Sequence, residues 1–445
     1  MSSSSLTFLG GAGTVTGSRF LLDLPGDTRI LLECGLFQGS RELRRRNWAA
    51  FPIPPSTISA VVLSHAHLDH CGYLPVLVRQ GFGGAVHTTP RTAELTAIAL
   101  RENARLMVDE ADHANAVGWS VHDPALPLYD DEDVTRALAR LVPVEHDTPV
   151  RLHGARLSLH RAGHILGSSW TQLVLDAGKT IVHSGDLGRS VHPLLQPPVP
   201  LPGADVLLVE STYGDRRHDD NATLDDLAKA VTRTADRGGR VLIPALAADQ
   251  IEVIVYRLRE LRQAGRIPEI PVYADSPMGL AARNVHLDAI AAREAELRPG
   301  LTRDTIDPSW VRELTVAEEY HPCVIVSASG GRVLHHLLPD PRMTVLIAGF
   351  AALGTRARDL ADGATSLKIH GRYVPVRAEI VSLPGLSAHA DAADTIAWLS
   401  TAARPPAVTY VVHGEPDAAR ALRDRIHDQL GWHAVVPRPD ERVLL

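Results

Sequence analysis

The sequence predicts an α/β protein in which one domain is interrupted by another, and three observations carry that reading. The first ~200 residues alternate short apolar strands with glycine-rich turns. From 206 to 365 strands and helices alternate one for one, the pattern of a doubly wound parallel sheet. Histidine- and aspartate-rich motifs stand at 65–70 and return beyond that stretch, at 389 and 413. A single site fed from both ends of the chain needs the middle to be an insertion. The expected bounds are 1–205 and 366–445 for the interrupted domain and 206–365 for the insert.

Taken in order, strands are predicted over 6–9, 19–23, 30–33 and 60–64, each a short apolar run bounded by glycine or a charged turn. A helix follows over 91–107, and strand character returns over 157–160, 171–175 and 180–183. In the insert, strand 206–210 leads to a helix from Thr223, a plausible N-cap, to Asp236. Strand 240–244 precedes a helix whose apolar Ile251, Ile254, Val255, Leu258 and Leu261 form one core-facing stripe. Strands over 270–274, 324–327 and 344–348 complete the set.

The apolar share of 45 % and charged share of 22 % are those of a soluble globular chain, and 445 residues suffice for two or three cores. No stretch approaches the roughly 18 apolar residues of a membrane helix, and no basic segment precedes the first strand, so neither span nor signal peptide is expected. Cys34, Cys71 and Cys323 are too scattered for a disulfide framework, which points to the cytoplasm. A formal charge of −7 disfavours a polyanionic partner overall, but Arg41, Arg44, Arg45 and Arg46 form one basic cluster.

The densest chemistry lies in Ser64-His65-Ala66-His67-Leu68-Asp69-His70-Cys71-Gly72, directly after an apolar strand. Four potential ligands in six positions suit a divalent metal, and imidazole with carboxylate suits zinc. His164, between glycines in Ala162-Gly163-His164-Ile165-Leu166-Gly167, is a further candidate. Asp186, just past a strand, can bridge two cations because a carboxylate offers one oxygen to each. His413 follows strand 408–412, and His389 stands in Ser387-Ala388-His389. Together these predict one zinc on His65, His67 and His164, a second on Asp69, His70 and His413, and Asp186 between them. Such a pair acidifies water enough to supply hydroxide near neutral pH and can stabilise both oxygens of a phosphodiester displacement.

These residues resemble the metallo-β-lactamase-fold nucleases of the β-CASP group along nearly the whole chain. The likeness runs through Phe8-Leu9-Gly10-Gly11-Ala12-Gly13-Thr14-Val15-Thr16-Gly17-Ser18, Cys34-Gly35-Leu36-Phe37-Gln38-Gly39, the 65–70 motif and Ser184-Gly185-Asp186-Leu187-Gly188-Arg189. Glu210-Ser211-Thr212-Tyr213-Gly214-Asp215 resembles the group's motif A, Ser387-Ala388-His389 its motif B and Val412-His413-Gly414-Glu415 its motif C. The resemblance implies an αββα metallo-β-lactamase sandwich with an inserted Rossmann-like β-CASP domain. It also implies two Zn2+ per chain on the seven ligands above, with His389 as general acid oriented by Glu210. Glu33 is implied to support the ligands, and Ser327 and Ser329 to contact backbone phosphates. A motif-C histidine is the pattern of the RNA-directed members, so single-stranded RNA is the implied substrate; relatives also include homodimers.

The chain departs from the group's pattern in three places. Glu33 replaces the usual aspartate before Cys-Gly, Gly330 meets Gly331-Arg332 without the longer intervening loop, and Gln250 stands where many relatives carry arginine. These departures motivate two rival readings. One is a metallo-hydrolase of a small ester, lactone or thioester, and the other a catalytically impaired RNA-binding homologue. Endonucleolytic and 5′-exonucleolytic action are not distinguished by the sequence.

Overall fold

The computed structural model describes residues 4–245, 249–275, 277–313, 322–328, 338–369 and 371–445. The chain folds into two compact units, one of residues 1–112, 126–217 and 389–445, the other of residues 113–125 and 218–388.

The first unit contains two seven-stranded sheets. One runs, in spatial order, Arg442–Leu444, Ser5–Gly10, Arg19–Leu24, Thr28–Leu32, Ala60–Val62, Ala85–Thr88 and Leu141–Pro143. The other runs Ala434–Val435, Val408–Val412, Val206–Glu210, Thr180–His183, Ser169–Leu175, Ala155–Arg161 and Val150–Leu152. Side chains alternate between faces along a strand, and here both faces are apolar. Phe20, Leu22, Ile30 and Leu32 meet Leu157, Leu159, Val206 and Leu208 in the core between the sheets. Their neighbours Leu21, Leu31, Val61 and Leu63 face outward onto Leu74, Leu77 and Leu100 of the helices Leu74–Arg79 and Pro90–Val117. On the opposite side Leu207, Val209 and Val411 pack on Leu399, Leu422 and Ile426 of the helices Ala392–Leu399 and Pro416–Leu430. The layering is αββα, as expected.

The second unit holds a six-stranded sheet in the order Val311–Glu313, Val272–Asp275, Cys323–Ala328, Arg240–Ala245, Thr344–Ala348 and Glu379–Leu383. Every pairing in it is parallel. Val241, Ile243, Val324 and Val326 pack against the helices Asp220–Asp236 and Gln250–Gln263, while Leu242, Ile325, Val345 and Ile347 pack on the other face with Leu360. This is the doubly wound arrangement.

The boundaries fall later than the sequence suggested. Val206–Glu210 pairs in parallel with Thr180–His183 and Val408–Val412, so it belongs to the sandwich. Glu379–Leu383 pairs with Thr344–Ala348, so 366–388 belongs to the insert. A strand–helix alternation reads the same whichever sheet its strand joins, which is why the pattern placed the first boundary at 206. The helix expected over 91–107 extends to Val117, its buried face continued by the small residues Ala111 and Ala114 in an otherwise polar segment.

Within the second unit a polar group lies under the first turn of Gln250–Gln263. Asp249 holds a positive φ of 68°, Glu252 and His286 are each 1 % exposed, and His286 Nε2 lies 3.3 Å from Asp249 Oδ1. Burial raises the Glu252 carboxyl to about 7. Burial pulls the His286 imidazole down, but Glu252 and Asp249 outweigh it and lift the group to about 9. Both groups are raised, so both favour the folded state at low pH. The Glu252 contribution fades as pH climbs from 4.5 through 7, and that of His286 as pH climbs from 6.5 through 9. We expect thermal melts followed by circular dichroism to show stability falling across this range, with Glu252→Gln flattening the part below neutrality. A melting temperature that rose with pH there would contradict the assignment.

Candidate metal centre

The centre sits in the first unit, where strands of both sheets end at the same side. His65 follows Ala60–Val62, His164 follows Ala155–Arg161, Asp186 follows Thr180–His183, and His413 follows Val408–Val412. Asp69 and His70 lie on the one-turn helix Leu68–Cys71, with His67 at its N-cap. Carboxyl ends of strands are where open α/β sheets place functional groups, because the loops there diverge and leave a crevice.

Close backbone approach fixes these loops. A Cβ at Gly35 would lie 1.6 Å from the Asp69 carbonyl oxygen, and one at Gly188 would lie 1.7 Å from that of Gly163. Only glycine fits either position. Two other residues, Glu33 at φ 64° and His413 at φ 46°, hold left-handed backbone without being glycine. Such strain persists where the surroundings impose it, often at functional sites.

The donor atoms form two nests, and a third group of Asp186, Glu210 and His413 overlaps them. In one, ligand atoms of His65, His67, His164 and Asp186 all lie within 4.8 Å of one another. In the other, those of Asp69, His70 and His413 do the same. Asp186 spans the two: Oδ2 is 3.4 Å from His65 Nε2 and 3.7 Å from His164 Nε2, while Oδ1 is 3.3 Å from His70 Nε2. The structure thus gathers all seven residues singled out in the sequence.

The electrostatics fit cations. His65 Nε2 and His67 Nδ1 face each other at 3.0 Å, and His70 Nε2 and His413 Nε2 at 3.1 Å. Burial holds His65 and His67 below the ordinary imidazole value, favouring the neutral, lone-pair-bearing form. Burial opposes ionisation of Asp186, but the imidazoles of His413, His70 and His65 outweigh it and hold the carboxyl well below the usual range. Burial works against the His70 cation, but Asp186 and Glu33 outweigh it and hold that imidazole well above the ordinary value. An ionised Asp186 beside the neutral imidazoles of His65 and His67 is a donor set for divalent metal.

Several ligand histidines are oriented from behind. Ser64 Oγ lies 2.9 Å from His65 Nδ1, and Thr212 Oγ1 lies 3.1 Å from His413 Nδ1. Glu33, wholly buried, accepts from the Ser64 amide at 3.1 Å and approaches His70 Nδ1 at 3.6 Å and His183 Nδ1 at 3.5 Å. The extra methylene relative to aspartate is therefore housed, with the carboxylate behind His70. Partners of this kind typically change metal affinity or activity ~10–100-fold. Glu33→Ala is expected to weaken metal binding by about that factor, read by competition with a chromogenic chelator; Glu33→Asp should retain most of it.

His389 lies beside the nests without joining either. Its Nδ1 is 3.2 Å from Glu210 Oε1, and its Nε2 is 3.8 Å from Asp186 Oδ2. Glu210 is buried, and its Oε1 also accepts from the Leu187 amide at 2.7 Å. Burial lowers the imidazole, but Glu210 and Asp186 more than offset this and raise it to about 9. His389 is thus held in its protonated form beside a buried carboxylate. Ser327 lies in the second unit, buried in Cys323–Ala328 and in register with Pro244 and Asp275. Ser329 lies outside the described residues.

Ser64, Thr212 and His183 were not anticipated as orienting groups. Ser64 and Thr212 stand inside motifs the sequence had already marked, Thr212 two residues past Glu210. That adjacency was the available signal.

A sandwich of this layering, with seven side chains able to hold metal gathered beyond the ends of its strands, defines a metallo-hydrolase. Three domain families match in order: "Beta-lactamase superfamily domain" over 28–244, "Beta-Casp domain" over 252–360 and "Zn-dependent metallo-hydrolase RNA specificity domain" over 373–437. "Ribonuclease TTHA0252" of Thermus thermophilus is 35 % identical over 431 residues, covering 93 % of this chain and 94 % of that protein. "Transcription termination factor FttA" of Methanocaldococcus jannaschii is 28 % identical over 460 residues, covering 97 % of this chain and 70 % of its own length. An "RNase J-like protein" from the same organism is 28 % identical, covering 87 % of each chain. Among solved structures, a protein of unknown function from Enterococcus faecalis superposes with a TM-score of 0.56 at 14 % identity over the full length of both, a likeness of fold alone. This chain belongs to the β-CASP family of metallo-β-lactamase-fold hydrolases.

Proposed function

We propose that the protein is a zinc-dependent ribonuclease that hydrolyses phosphodiester bonds of single-stranded RNA, with two zinc ions per chain. The observation that carries this is the placement of Asp186, one oxygen toward each nest, together with His389 outside both. His65, His67 and His164 would hold one ion, Asp69, His70 and His413 the other, and Asp186 both. When bound, such ions supply Lewis acidity to phosphate oxygens and acidify water.

The chain's own groups do the rest. Asp186 keeps its negative charge at the centre, offsetting the positive charges gathered there. Glu33, Ser64 and Thr212 fix the orientations of His70, His65 and His413. His389 Nε2 gives its proton to the leaving oxygen, and Glu210 steadies the imidazole at Nδ1. RNA as substrate is supported by the RNA specificity match over 373–437, which contains His389 and His413, and by the names of the relatives. The three cysteines, buried and unpaired, suit the reducing cytoplasm, where we place the protein.

The direct test is labelled single-stranded RNA incubated with pure protein, with and without chelator, from about pH 6 to about pH 9, where imidazoles titrate. We expect cleavage that chelator abolishes and zinc restores, and about two zinc ions per chain by elemental analysis. No chelator-sensitive cleavage anywhere in that range would reject the reading. Turnover of a small ester that survives His389→Ala would favour the rival metallo-hydrolase.

A further inference from the structure

The segment that leaves Glu33 ends in a surface patch of unusual character. The short helix Arg41–Arg45 is capped by Ser40, whose side chain accepts from the Leu43 amide. Four arginines stand at 41, 44, 45 and 46, in a chain of formal net charge −7. One of them is used structurally: Arg46 Nη2 donates to the Leu9 carbonyl at 3.0 Å and to Asp440 at 3.1 Å, and its guanidinium lies 4.3 Å from the Phe37 ring centroid. Arg41, Arg44 and Arg45 are different. All three are exposed, they share one helix face by their i, i+3, i+4 spacing, and none forms an ion pair among the described residues. Beside them Trp48 is 59 % exposed.

The patch is held firmly. Asn47 is buried, accepting from the Phe37 amide at 2.9 Å and donating to the Phe37 carbonyl at 2.8 Å. The backbone leading to it is tied to the metal centre: the Cys34 amide donates to the His70 carbonyl at 2.7 Å, and the Leu36 amide to the Leu68 carbonyl at 2.8 Å. The Ser18 amide binds the Asp69 carbonyl at 2.9 Å from the other side. One hydrogen-bonded stretch therefore begins behind the ligands and ends at three guanidinium groups free of ion pairs among the described residues, with the single carboxylate Glu42 on the same helix, and an exposed indole.

Guanidinium forks match phosphate oxygens, and an exposed indole offers a face on which a base can stack. This pairing of cations with an aromatic platform is what sequence-tolerant recognition of a single strand requires. A duplex hides its base faces and could use the arginines but not Trp48. We propose that Arg41, Arg44, Arg45 and Trp48 form a binding surface for single-stranded RNA on the metal-bearing unit, the arginines taking phosphates and Trp48 a base. The proposal rests on the RNA reading above and names the surface that holds the strand.

The test uses full-length, zinc-loaded protein and a phosphorothioate-stabilised single-stranded oligoribonucleotide, with binding followed by fluorescence anisotropy over a salt series. Arg41→Gln, Arg44→Gln and Arg45→Gln combined should weaken binding about tenfold and reduce the slope of log K against log salt by about 2, since each phosphate contact on a single strand contributes ~0.7. Trp48→Ala should also weaken binding about tenfold while leaving that slope unchanged. Hydrolysis of bis(4-nitrophenyl) phosphate, which needs only the metal centre, should be unaltered in both variants and shows that each has folded. Wild-type affinity and slope in both variants would overturn the proposal, as would equal losses on single strand and duplex for Trp48→Ala. Binding without cleavage by the unmodified protein would sink the nuclease reading yet leave the patch decided by these variants. Absence of RNA binding altogether would sink both.

Discussion

Asp186→Ala is expected to lower kcat on RNA by roughly 10³-fold or more and to reduce bound zinc from about two ions per chain to one or fewer. The reason is positional. Asp186 is 1 % exposed, and its two oxygens face different histidines, His65 and His164 on one side and His70 on the other. The other anion near the second nest, Asp69, is partly exposed and meets His413 at 3.4 Å. Alanine would remove the carboxylate that faces both sets of imidazoles. Asp186→Asn separates charge from shape, because the amide fills the same space without the charge. If charge is the essential property, Asn should resemble Ala in both metal content and turnover. Elemental analysis beside single-turnover kinetics reads both quantities. Full zinc occupancy with near-normal turnover in Asp186→Ala would remove Asp186 from the centre.

The site was more legible in the sequence than the domain boundaries, and the difference has a physical cause. A metal ligand must be His, Asp, Glu or Cys, must sit at the end of an element, and often has glycine beside it so that the backbone can approach. His164, Asp186 and His413 meet all three conditions within a few residues of local sequence, and His65 meets the first two. The groups behind them meet none uniquely. A serine or threonine is common in any turn, so Ser64 and Thr212 become informative only once the His65 and His413 rings are seen against them. His183 closes the strand Thr180–His183, and nothing local shows that it faces Glu33 rather than an apolar neighbour. Sheet membership is less local still. Val206–Glu210 is apolar on both faces wherever it is placed, and only its pairing with Val408–Val412, some two hundred positions away in the chain, assigns it to the sandwich.

His389→Ala is expected to lower kcat by ~10²–10⁴, the usual contribution of a positioned proton donor, with metal content unchanged because His389 belongs to neither nest. Glu210→Gln separates the carboxylate's two tasks. Glutamine can still accept from the Leu187 amide, so the loop that carries Asp186 should hold its shape. What it loses is the charge 3.2 Å from His389 Nδ1. That charge raises the imidazole, and the group must be protonated to act, so activity falls as pH passes its value. Removing the charge lowers that value and moves the alkaline limb of the kcat profile toward acid, by about one unit or more. A group serving only as packing would reduce kcat equally at every pH and leave the limb where it was. The two variants also constrain each other. If His389 is the donor, adding Glu210→Gln to His389→Ala should cost little further, because there is no imidazole left to orient. Independent, multiplying losses would mean that Glu210 acts on the Asp186 loop or on His413, with which it also shares a cluster of ligand atoms within 4.8 Å.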